Sequence, residues 1–85
     1  MASKTVIVGS SVGLHARPAS LIAEAAQEFD DEILLSIAGE DPVDAGSSLL
    51  IMTLGAEKGA AVTVESDNEE AVEKIAALIE ADLDT

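Results

Sequence analysis

The chain contains one histidine, His15, and an arginine, Arg17, stands two positions after it. Both lie in the segment Gly13-Leu14-His15-Ala16-Arg17-Pro18-Ala19-Ser20. A neutral imidazole nitrogen is a nucleophile suited to phosphorus, because the phosphoramidate it forms gives up its phosphoryl group again readily. A guanidinium adds a planar fork of donors that matches phosphate oxygens. The residues that follow His15 read as the start of a helix. The first N–H groups of a helix have no partner within it, and that end carries roughly half a positive charge. The amides of Ala16 and Arg17, with the Arg17 side chain, therefore form a candidate anion site beside a nucleophile. A lone histidine at a helix start is also a common cap or surface residue, so spacing alone leaves both readings open.

The elements that must position this segment follow from periodicity. Lys4–Val8 is short and β-branched, and Gly9-Ser10-Ser11 ends it as a loop would. From Ala16 the apolar residues Pro18, Leu21, Ile22, Ala25, Ala26 and Phe29 recur at helical spacing, with Glu24, Gln27 and Glu28 on the other face. A proline in the first helical turn costs no hydrogen bond. Ile33, Leu35 and Ile37 alternate with Glu32, Leu34 and Ser36, which predicts a half-buried strand. Residues 38–42 are turn-like, and Val43-Asp44-Ala45 is a candidate partner strand. Ser47–Leu54 reads as a short apolar helix closed by Gly55. Ala61–Glu65 alternates as a strand, Ser66-Asp67-Asn68-Glu69 has capping-box spacing, and Val72, Ile75, Ile79 and Leu83 form the stripe of a last helix. The predicted order is β-α-β-β-α-β-α. That order implies an α+β open-faced sandwich: a four-stranded antiparallel sheet with three helices over one face, and one domain across residues 1–85. The pattern does not give the strand order.

Composition narrows the chemistry further. There is no cysteine and only one histidine, so no disulfide is expected, and a zinc or iron site would rest on carboxylates alone, which those metals rarely accept. No metal and no bound cofactor are expected. Seventeen acidic residues face four basic ones, a net charge of −13. Such a field repels nucleic acid and anionic lipid. No secretory leader or apolar span is visible, so a cytoplasmic, soluble monomer without membrane insertion is the expectation. The acidic excess reads either as a solvated surface or as adaptation to concentrated salt, which screens self-repulsion; the few lysines and many Ala and Val residues favour the second.

The segment GLHARPAS resembles the active-site segment of the HPr family, the histidine-containing phosphocarriers of the phosphoenolpyruvate:sugar phosphotransferase system. The stretch from Ser47 to Gly55 resembles that family's second signature, and the predicted element order matches its fold across essentially the whole chain. The resemblance implies that His15 accepts a phosphoryl group on Nδ1 from enzyme I and passes it to IIA domains of sugar permeases, with Arg17 assisting. Such a chain is a carrier rather than a stand-alone enzyme. The resemblance also implies that a serine kinase of some lineages would act at Ser47, a residue that is equally a good helix N-cap. Leu14, Ala19, Leu49, Leu50 and Met52 are candidate partner contacts. Many members place lysines around the histidine, whereas here the first helix offers Glu24, Gln27 and Glu28, and only Arg17 is expected to be basic nearby. Two other readings differ in kind. One is a regulatory paralogue that signals to a kinase or transcription regulator. The other is an interaction module in which His15 is a structural cap.

Overall fold

The computed structural model describes residues 2–9, 13–14 and 16–81. The elements run β1 (Ala2–Ile7), α1 (Ala16–Ala26), β2 (Ile33–Ser36), β3 (Val43–Asp44), α2 (Ser48–Thr53), β4 (Ala61–Ser66) and α3 (Glu69–Glu80). The strands form one antiparallel sheet in the order β1-β4-β2-β3. Sequence order therefore differs from spatial order, because the last strand enters between the first two. Ser66 pairs with Ala2 on one side and with Ile33 on the other, and Val64 pairs with Lys4 and with Leu35.

Alternation along these strands divides the sheet into two faces. Val6, Val62, Val64, Ile33 and Leu35 turn to one side and are buried. The opposite side carries Thr5 and Thr63, whose hydroxyls share a 2.9 Å hydrogen bond, and Ile7, which is 54% exposed. The helices cover the apolar face. α3 packs on β1 and β4, while α1 lies beside both α3 and α2. Ile22, Ile51, Val72, Ile75 and Ile79 complete the core from the helical side. Fully burying each such side chain contributes about 1.5–3 kcal/mol. This is the expected α+β open-faced sandwich.

Two sequence expectations shift in detail. In α1 the buried face centres on Ala19, Ile22, Ala23 and Ala26, so Leu21 falls off its edge and is 38% exposed. Phe29 lies beyond the helix end and is half-buried. The capping residue of α3 is Asn68 rather than Ser66. Asn68 is extended, and its Oδ1 accepts from the Ala71 amide at 3.3 Å. Ser66 remains in the sheet, fully buried, and its Oγ accepts from the Asn68 amide at 3.1 Å. Pairing on both sides holds Ser66 in β4, which moves the cap two residues along. Leu83 lies outside the described residues.

The β1 edge carries Lys4, whose Nζ donates to Glu73 Oε2 of α3 at 3.0 Å. That hydrogen bond and charge hold the ammonium above the ordinary lysine value of 10.5. Among the described residues no helix is long and apolar enough to cross a membrane.

Candidate functional site

His15 lies outside the described residues; its chain neighbours Leu14 and Ala16 lie within them. On the near side, the chain is held in place by a backbone contact. The Leu14 amide donates to the Ala56 carbonyl at 2.9 Å, and the Leu14 side chain is buried. Gly13 takes φ +75°, and a Cβ there would stand 2.5 Å from the Ala56 oxygen and 2.8 Å from the Glu57 Cα. Only glycine combines that backbone conformation with so close an approach.

On the far side α1 begins at Ala16, so the amides of Ala16 and Arg17 are among those with no intrahelical acceptor. Both residues are exposed. No acidic residue stands in the first turn of α1, whereas Glu69 and Glu70 occupy that turn in α3. In so acidic a chain, the positive end of α1 is left without a carboxylate of its own. Pro18, the third helical residue, is buried and fixes the turn from which Arg17 projects.

The second signature forms α2 beside α1. Ser47 is the N-cap, its Oγ accepting from the Leu50 amide at 3.3 Å. Gln27 Nε2 donates to the Gly46 carbonyl at 2.9 Å and ties α1 to this turn. Between the helices runs an open groove of about 370 Å³, lined in part by Ser20, Glu24, Gln27, Ser47 and Leu49. Leu49 and Leu50 are 71% and 41% exposed, and Met52 is half-buried, while Ile51 fills the core. Leu14 and Ala19 are different. At 3% and 0% exposure they belong to the core and offer a partner no surface. Their apolar character serves packing: Ala19 faces inward from α1, and Leu14 is drawn in beneath the backbone bond to Ala56.

The fold corrects the charge picture around the site. Lys58 follows Ala56 by two residues, in a turn closed by the Ala60 amide donating to Glu57 at 2.9 Å. Gly59 donates to the Val8 carbonyl at 3.1 Å, and Val8 donates to Ala60 at 2.9 Å. This turn therefore borders the β1-to-α1 connection at both of its described ends. Arg17 is not the only cation in the neighbourhood. No signal in the local sequence marked Lys58, because the proximity arises from pairing between distant segments.

A family model described as the PTS HPr component phosphorylation site matches residues 2–81. The chain belongs to the HPr family. It is a phosphocarrier of the phosphotransferase system. Phosphocarrier protein HPr of Streptomyces coelicolor is 39% identical over 82 residues, covering 93% of this chain and 88% of that protein. HPr of Mycoplasma capricolum is 34% identical over 85 residues, covering 100% and 94%. Among solved structures, HPr-C-His from Thermoanaerobacter tengcongensis superposes with a TM-score of 0.89 at 32% identity, covering 100% of this chain and 98% of that one. The HPr sheet and three-helix layer thus account for the whole described architecture.

Proposed function

We propose that this single-domain carrier takes its phosphoryl group onto Nδ1 of His15 from phosphorylated enzyme I and delivers it to IIA domains of sugar permeases. At each transfer one P–N bond forms on the acceptor as the bond to the donor breaks, and the electron pair of the broken bond returns to the leaving group. The three phosphoryl oxygens carry spread negative charge at the midpoint. Positioning and positive partial charge are what a protein can supply there. The observation that carries the reading is the start of α1. It follows residue 15 directly, presents the Ala16 and Arg17 amides, carries an exposed Arg17 and has no carboxylate in its first turn.

Leu49, Leu50 and Met52 are the apolar part of the proposed partner surface, and the carrier acts as a cytoplasmic monomer. Ser47 is half-buried with its hydroxyl already engaged as a cap. Glu24 lines the same groove and would oppose a phosphate added by a serine kinase. Ser47 phosphorylation is therefore a secondary part of the proposal.

Incubation with phosphoenolpyruvate and enzyme I tests the main reading. The wild-type chain should gain one acid-labile phosphoryl group by mass spectrometry, and His15→Ala should gain none. Arg17→Ala should slow the transfer by about 10²-fold, the loss typical of removing one donor to a developing anion. Equal labelling of wild type and His15→Ala would refute the assignment.

A further inference from the structure

We infer that Lys58 is a second docking cation of this carrier, a specificity-determining residue that meets the anionic, phosphoryl-bearing face of the donor protein. The inference rests on the carrier reading above. The chain has four basic side chains. Two of them are held on the α3 side of the molecule: Lys4 pairs with Glu73 at 3.0 Å, and Lys74 pairs with Glu28 at 3.2 Å. The other two, Arg17 and Lys58, are exposed and make no ion pair among the described residues.

These two share one location. Arg17 is the second residue of α1. Lys58 sits in the turn whose preceding residues clasp the chain just before His15, through the Leu14–Ala56 hydrogen bond and the Gly13–Glu57 contact. Arg17 follows Leu14 by three residues and Lys58 follows Ala56 by two, so both cations lie within three residues of the Leu14–Ala56 hydrogen bond. The chain as a whole is strongly acidic, and a phosphoprotein approaching its charge of −13 meets repulsion. Attraction is concentrated where charges of the opposite sign are free to act. The lysine ammonium, a compact charge on a flexible stem, suits contact with a partner's anionic rim more than fixed bidentate binding. Glu57, its exposed neighbour, makes no ion pair with it and works against it.

A rim charge alters association rate and salt dependence more than the chemical step. The test measures the second-order rate of phosphoryl transfer from enzyme I, kept charged with phosphoenolpyruvate, at low and high KCl. Lys58→Gln should lower the rate about three- to tenfold at low salt, and the deficit should vanish near 1 M, where the Debye length is about 3 Å. Lys58→Arg should restore the rate, and Glu57→Gln should raise it. Lys74→Gln removes an equal charge on the other side of the molecule and should leave transfer unchanged. If Lys58→Gln transfers as fast as wild type, or Lys74→Gln is slowed equally, the inference is wrong. A wild-type chain that gains no phosphoryl group overturns the carrier reading, and the role of Lys58 with it.

Discussion

A methyl group at position 13 would stand 2.5 Å from the Ala56 carbonyl oxygen and 2.8 Å from the Glu57 Cα, and both of those atoms are backbone. Nothing there can rotate away. Gly13→Ala meets this clash in addition to the left-handed backbone cost of about 1–2 kcal/mol. Gly55 supplies the control: its φ is +65°, but a Cβ there meets nothing within 4 Å. Gly55→Ala should therefore show the backbone cost alone, and Gly13→Ala should lose at least about 1 kcal/mol more. For a domain of this size that difference is a further drop in Tm of about 4–8 °C. Thermal melts of the two variants decide it, and equal melting would refute the clasp as a source of strain. The proposed residue-scale chemistry rests on local sequence. His15 and Arg17 are covalent near-neighbours, so their association needed no tertiary contact. Ser47 was legible as a cap because the cap and the Leu50 amide lie within one helical turn. Leu14 and Ala19 were misplaced as surface candidates for the converse reason: an apolar residue near a site looks the same in sequence whether it faces a partner or the core.

Most element bounds were legible to within a residue or two, although α1 ends three residues before Phe29, and the shifts at Ser66 and Leu21 share a cause. Ser66 sits at capping-box spacing before α3, yet β4 retains it because it pairs with Ala2 on one flank and Ile33 on the other. The helix then caps on Asn68, which also donates from Nδ2 to Asp31 Oδ2 at 2.9 Å. Asn68→Ala should destabilise the fold by about 1 kcal/mol through the lost cap. Denaturant melts measure this, and an unchanged midpoint would show that the cap contributes nothing. The same competition explains Leu21. Its spacing suits the apolar stripe of α1, but α3 and α2 flank that helix on a narrower face centred on Ile22. Local periodicity proposes a face, and the neighbouring helices set its width.

At the scale of the whole molecule, charge is the governing feature. Seventeen acids against four bases leave a self-repulsion that the two half-exposed ion pairs among the described residues do little to offset. Raising KCl from 0.1 to 1 M shortens the Debye length from about 10 to 3 Å. The Tm should rise across that range, followed by circular dichroism. A Tm that stays flat or falls would reject concentrated salt as the setting to which this composition is suited. The sequence alone determined the helices and strands, the apolar faces they must bury, the net charge and the His15-Arg17 pair, because each depends on local spacing or simple composition. Tertiary structure alone decided that β4 lies between β1 and β2, that Leu14 turns inward and that the Lys58 turn borders the segment carrying His15. Those facts depend on which distant surfaces satisfy one another's hydrogen bonds and exclude water together. The proposed phosphate site therefore lies in one short segment, while the Lys58 turn is brought beside that segment by the fold.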